Sequence, residues 1–330
     1  VSLASRLLNA NPGAQVTTAL TGALTTPGAK GAFSLPFSGY SAGATTTVLK
    51  FNFYSETPST LSGSLNASYG TTGQGFTYHG TAGYFAGGTG GNSTTQQNNK
   101  LVFSTETLSA LSVMDSAVGR LYGASVSNES VAGYALGGEA SAPTLTYYTN
   151  AAKFTFSGES WSAVASGGFS QTNAHAGGEN GSTAGYHWYG FGGSQLDAKK
   201  ITFSNDSVST SFAGPSGEAE YAGKSPSNGT TAGYALGGIN RTGTPLLDRC
   251  AKLTYSNDSH SVLATTLSSA RYTPINMSDY TTNAYSMGGY NGTSNVTTIQ
   301  KMPYSTDTMS TLATTLTTAR AGMAVANYHV

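Results

Sequence analysis

Apolar and polar residues alternate over short stretches that recur along the chain: Phe51/Phe53, Leu101/Phe103, Phe154/Phe156, Ile201/Phe203, Leu253/Tyr255 and Met302/Tyr304. A period of two puts each pair on one face of a β-strand and its neighbours on the other. Each pair follows a lysine on the opposite face: Lys50, Lys100, Lys153, Lys200, Lys252 and Lys301. Six residues after each lysine stands an acid, Glu56, Glu106, Glu159, Asp206, Asp258 or Asp307, inside a polar stretch such as Asn205-Asp206-Ser207 or Thr306-Asp307-Thr308. Short polar side chains there accept backbone N–H groups and reverse the chain. A returning strand follows, carrying Leu61, Leu111, Val164, Phe212, Leu263 or Leu312 near the same offset, so each stretch predicts a hairpin.

A second series keeps step with the first. Tyrosine precedes glycine by three residues at Tyr40, Tyr84, Tyr134, Tyr189, Tyr234 and Tyr285, with gaps of 44, 50, 55, 45 and 51 residues that average 49. Five copies double the glycine, at Gly87-Gly88, Gly137-Gly138, Gly192-Gly193, Gly237-Gly238 and Gly288-Gly289, whereas the first keeps only Gly43. A fixed period of this length marks an array of one supersecondary unit. Two independent markers thus give six units.

The rest of each unit predicts two more strands. Small residues, as in Gly123-Ala124-Ser125-Val126-Ser127, suit a crowded innermost strand, and Ala-Gly-Tyr-Ala-Leu-Gly-Gly after an Asn/Gly/Ser turn forms the next. Glycine at its end permits a sharp turn or a close backbone approach. Arginine ends the outer strand in three units, at Arg120, Arg271 and Arg320; Tyr69, Thr172 and Glu220 lie near its place in the others. Helix is supported only over residues 3–10, where Leu3, Leu7 and Leu8 line one face; elsewhere glycine and β-branched residues oppose it.

These Tyr-x-x-Gly-Gly elements, the arginine before the inner strand and the period of about 50 residues resemble the kelch repeat family. The resemblance covers roughly residues 33–330 and implies an all-β fold, a six-bladed kelch-like β-propeller with four-stranded blades. The usual fourth-strand tryptophan occurs only at Trp161. After Arg320 comes one inner-type strand, residues 321–327, with no second strand behind it, while the first unit lacks a good copy of its own. The C-terminal strand is therefore expected to complete the first blade and cover an edge that would otherwise pair with another chain. Residues 1–32, punctuated by Pro12-Gly13 and Pro27-Gly28, are left as an N-terminal extension or assembly arm.

Composition narrows the class. With 9% charged residues and a formal net charge of zero, the chain lacks the positive field of a nonspecific nucleic-acid binder. An apolar share of 38%, with 20 tyrosines and 13 phenylalanines, provides for a core. No run approaches 18 apolar residues, so no membrane span is expected. No signal-peptide pattern opens the sequence. Cys250, the single cysteine, reads as a small buried filler.

Candidate chemistry is thin. His79, His175, His187, His260 and His329 fall at different repeat positions, without metal-ligand spacing. The recurring acids lie in different units, which separates them far beyond a glycosidase pair, so they read as turn residues. The paired glycines recur at strand ends rather than opening onto a helix, unlike a phosphate loop. No catalytic residue, cofactor or metal is expected. Ser-Asn-Asp-Ser is similar to the Asp-box turns of sialidase propellers, yet the box ending in tryptophan is missing.

Residues 233–238, 252–259 and 267–271 are similar to kelch-like repeats in structural proteins of tailed bacteriophages, particularly cyanophages. The resemblance implies a non-enzymatic virion component, a tail fibre, tail tip or other appendage. Its partners would be other virion proteins, further copies of itself and a host-surface glycan. A nonviral extracellular carbohydrate-binding propeller and a propeller glycosidase are the alternatives. The longest marker gap, 55 residues, contains His187, Trp188 and Tyr189, whose aromatic faces beside polar groups suit stacking on a sugar ring, or equally local packing.

Overall fold

A computed structural model describes residues 38–42, 46–65, 73–90, 93–94, 97–111, 123–140, 146–164, 176–180, 183–188, 197–209, 212–213, 224–240, 245–322 and 324–328. The chain divides into two compact units, Val1–Phe37 and Ser38–Val330. The first, with residues 1–32 and the helix expected over 3–10, lies outside the described residues. The second is an all-β propeller, and no helix occurs among its described residues.

Each repeat unit folds as an antiparallel meander. In the second unit Gln74–Tyr78, Ala82–Ala86, Asn98–Val102 and Thr107–Leu111 lie side by side in that order. Ala124–Asn128, Ala132–Leu136, Ala151–Thr155 and Ser160–Ala163 repeat the arrangement in the third, and Ile275–Ser278, Asn283–Met287, Thr298–Pro303 and Ser310–Thr315 in the sixth. The fourth unit orders Ala176–Asn180, Ala184–Trp188, Asp197–Thr202 and Ser207–Val208, with Phe212–Ala213 also on the third strand. In the first unit the C-terminal strand Ala324–Tyr328 pairs with Ser38–Ala42, Tyr328 opposite Ser38, ahead of Thr47–Asn52 and Thr57–Ser64.

The expectation of six four-stranded blades is corrected. Among the described residues five sheets have four strands or more and make five blades, while the fifth unit shows Ala232–Ile239, Leu246–Thr254 and Ser259–Thr266. The reason lies at Pro226. Ser227 bridges Gly233, which sets Pro226 opposite Tyr234, and the Pro226 carbonyl accepts from Tyr234 N at 2.9 Å. Proline has no N–H to return the bond, so between the bridge residues Lys224 and Ser227 the leading segment forms no continuous ladder.

The core lies between the sheets. Phe76, Tyr84 and Ala86 of the second unit cluster with Ala135, Phe154 and Trp161 of the third, and Val126 and Tyr134 of the third cluster with Ile201 and Phe203 of the fourth. The glycine before Tyr134 and before Tyr186 follows from this packing. A Cβ on Gly133 would meet Phe76 at 2.5 Å, and one on Gly185 would meet Val126 at 2.3 Å. The leading strands also pack in series. Amides on their unpaired edges are capped across units: Asn327 N donates to Thr77 Oγ1 and Thr77 N to Ser127 Oγ, each at 3.0 Å. Ser278 Oγ donates to the Ser227 carbonyl at 2.6 Å. Small hydroxyl residues on these strands thus bond the neighbouring unit as well as saving space.

Candidate functional site

The three repeat series converge on one arrangement at each junction between consecutive units. Cross-strand register places each repeat tyrosine opposite its own lysine: Tyr84↔Lys100, Tyr134↔Lys153, Tyr186↔Lys200, Tyr234↔Lys252 and Tyr285↔Lys301. The ammonium lies 5.3 to 6.0 Å from the ring centroid in these five, within cation–π range. Lysine and tyrosine then reach together to the acid of the next unit.

The ion pairs run Lys50–Glu106, Lys100–Glu159 at 2.5 Å, Lys153–Asp206 at 2.8 Å, Lys200–Asp258 at 3.4 Å and Lys252–Asp307 at 2.6 Å. Lys301 of the last unit pairs with Glu56 of the first, also at 2.6 Å. Tyrosine hydroxyls donate to the same carboxylates, Tyr134 to Asp206 at 2.7 Å, Tyr234 to Asp307 at 2.9 Å, and Tyr84 and Tyr285 to Glu159 and Glu56 at 3.2 Å. Tyr186 faces Lys200 and Asp258. Each ring also stacks on the aromatic residue three places after the next unit's lysine: Tyr84 on Phe156, Tyr134 on Phe203, Tyr186 on Tyr255, Tyr234 on Tyr304 and Tyr285 on Phe53, with centroids 4.7 to 5.4 Å apart.

The acids carry a second task. All six have positive φ, between 45° and 55°, the left-handed conformation that finishes the hairpin turn and costs a side-chain-bearing residue about 1 kcal/mol or more. The sequence reading as turn residues covers only half of what they do. Burial first, and the facing carboxylate second, raise the phenols of Tyr84, Tyr134, Tyr234 and Tyr285 well above the ordinary tyrosine range. These hydroxyls remain protonated donors to the carboxylates, and the arrangement acts as a clasp between units.

The paired glycines join a second inter-unit device. Gly87-Gly88, Gly137-Gly138, Gly237-Gly238 and Gly288-Gly289 all have positive φ. Gly238 N donates to the Arg271 carbonyl and Gly289 N to that of Arg320, each at 2.8 Å. A Cβ on Gly288 would stand 2.2 Å from the Arg320 carbonyl oxygen, so this approach requires glycine. The Arg271 side chain, fully buried, continues into the sixth unit, donating to the Gly288 and Thr298 carbonyls at 3.1 and 3.3 Å and to Gln300 Oε1. Burial lowers its pKa to about 10. Arg271 therefore ties the glycine pair of its own unit to that of the next.

In the fourth unit, the tyrosine opposite the lysine is Tyr186, three residues before the Tyr189 chosen by spacing to the glycines. The Ala-Gly-Tyr triplet, present at residues 82–84, 132–134, 184–186 and 232–234, is the signal that identifies it. His187, expected at a contact surface, is 2% exposed and stands opposite Gly177 and Lys199 within the sheet. It is a buried residue and offers no surface contact. Trp188 pairs with Ala176 through its backbone; its side chain and all of Tyr189 lie outside the described residues, as do Gly192 and Gly193.

Two other histidines are placed. His79 Nδ1 is 3.6 Å from Glu129 Oε2 in the next unit, and that carboxylate raises its pKa against the effect of burial. Burial lowers His260 to about 4. Among the described residues, no group of three or more His, Cys, Asp or Glu side chains is arranged to hold a metal, and no helix is long and apolar enough to cross a membrane. No family model matches the chain, and a comparison with curated proteins found no match.

Proposed function

We propose that the chain is a non-enzymatic structural module of a tailed-bacteriophage particle, a kelch-like ring closed by its C-terminal strand and mounted in a tail fibre, tail tip or other appendage. The observation that carries this reading is the clasp series. The lysine and acid that recur in every unit are committed to holding the next unit, which makes the repeat's chemistry cohesive and leaves none of it poised on a substrate. The outer strands are correspondingly bland. Thr57–Ser64, Ser259–Thr266 and Ser310–Thr315 carry serine, threonine and aliphatic residues but no lysine, arginine, aspartate or glutamate. The repeat resemblance supplies the phage context, and residues 1–32 supply an attachment arm.

Antibody raised against the chain, applied to purified particles, is the test: labelling at symmetry-related positions on the tail is expected. A free monomer that turns over glycans would replace this reading with the glycosidase alternative. On the same reading Trp188 and Tyr189 contact a host-surface glycan. Trp188→Ala should then weaken adsorption to host cells while the melting curve stays in place; unchanged adsorption would remove them from the contact.

A further inference from the structure

The second unit has polar groups where the third and sixth have apolar ones. On the face that the second unit turns towards the third, Gln74, Ala86 and Asn98 stand in one row across three strands. Gln74 and Asn98 are 0% and 1% exposed, and all four amide atoms lack a hydrogen-bond partner. The corresponding rows are apolar in the third and sixth units: Ala124, Leu136 and Ala151 in the one, and Ile275, Met287 and Ile299 in the other. In the second unit the middle residue is only alanine. The facing wall repeats the economy, because Ala86 packs with Ala135 and Ala152 of the third unit and Ser125 is paired opposite Ala135.

We propose that this junction encloses ordered water bridging the Gln74 and Asn98 amides across the alanines. A carboxamide has two donor hydrogens and an acceptor oxygen, so the site presents both signs of hydrogen bonding at each end. Water answers both, whereas a metal cation would satisfy the oxygens and leave the NH2 groups orphaned. Buried polar groups of native proteins that lack a protein partner are ordinarily satisfied in this way, while dry cavities are lined by apolar atoms. The proposed water occupies the gap that alanine on both walls would leave between the amides. Gln74 is itself wedged against the third unit, its Nε2 lying 2.3 Å from where a Cβ on Gly123 would be.

Diffraction from crystals of the full chain, at a resolution that shows ordered solvent, tests the site directly. Density for at least one water within hydrogen-bond reach of both amides is expected; a direct Gln74–Asn98 amide bond, or empty density, overturns the proposal. In solution, oxygen-17 magnetic relaxation dispersion should count at least one fewer long-lived water in the Gln74→Leu/Asn98→Leu double variant than in the parent chain. An equal count overturns it. If the double variant does not fold, the diffraction result on the parent chain decides alone.

Discussion

At the scale of the residue, each recurring acid joins a backbone role to a side-chain role, and substitution separates them. Asp206 has φ 55° and receives both Lys153 and Tyr134. Asp206→Gly keeps the left-handed turn at no steric cost but removes the carboxylate, whereas Asp206→Ala loses both. Alanine should therefore be the less stable variant by about 1 kcal/mol in urea unfolding; equal losses would mean that the turn contributes nothing. Tyr134→Phe keeps the stack on Phe203 and removes one charge-assisted hydrogen bond, an expected loss of about 1 kcal/mol for this partly exposed carboxylate. The tyrosines also set a limit at high pH. Their folded pKa values lie above the unfolded value near 10, so the folded state binds more protons once pH passes that value. Stability should hold up to about pH 10 and fall above it, by up to about 1.4 kcal/mol per pH unit for each buried phenol. A melting series read beside tyrosinate absorbance checks this: if the phenols ionise while the fold remains intact, the clasp donors are not held as described.

At the scale of the element, the hairpin of lysine strand, acid turn and returning strand was legible because alternation and turn chemistry are local. The exchange between units was not. Lys153 bonds Asp206, 53 residues away, and nothing in the six-residue interval between a lysine and its own acid announces a partner one unit on. Tyr186 was missed for a different reason: the fourth unit separates its tyrosine from Gly192-Gly193 by three additional residues, so the glycine marker pointed to Tyr189. The interrupted leading segment of the fifth unit, among the described residues, was visible as Pro226 but had no register to give it meaning. Restoring a donor tests that account. Pro226→Ala should create a slowly exchanging amide at residue 226 opposite Tyr234, with little net change in stability, since one hydrogen bond gained is offset by greater freedom of the unfolded chain. A freely exchanging amide at 226 would show that the proline is not what interrupts the ladder.

At the scale of the whole molecule, the clasps bear on whether the units behave as an open array or as a cycle. In an open array each unit answers only to its sequence neighbours, and the terminal junctions are the weakest. Here Lys301 reaches Glu56, 245 residues away, and Tyr285 donates to the same carboxylate while stacking on Phe53. The last-to-first junction thus has the same parts as Lys153, Tyr134, Asp206 and Phe203 have between the third and fourth units. If the cycle holds in solution, Lys301→Met and Lys153→Met should lower the unfolding midpoint alike, each by roughly 1 kcal/mol because both pairs are about a quarter to a third exposed. Exchanging the charges, Lys301→Glu with Glu56→Lys, should recover much of the loss, since the pair is rebuilt in reverse and the Tyr285 hydroxyl then accepts from the lysine. The contrasting result is specific: melting unchanged by Lys301→Met but lowered by Lys153→Met would mean that the first and last units are not clasped in solution, and the pairing of Ala324–Tyr328 with Ser38–Ala42 would then have to hold that junction without them.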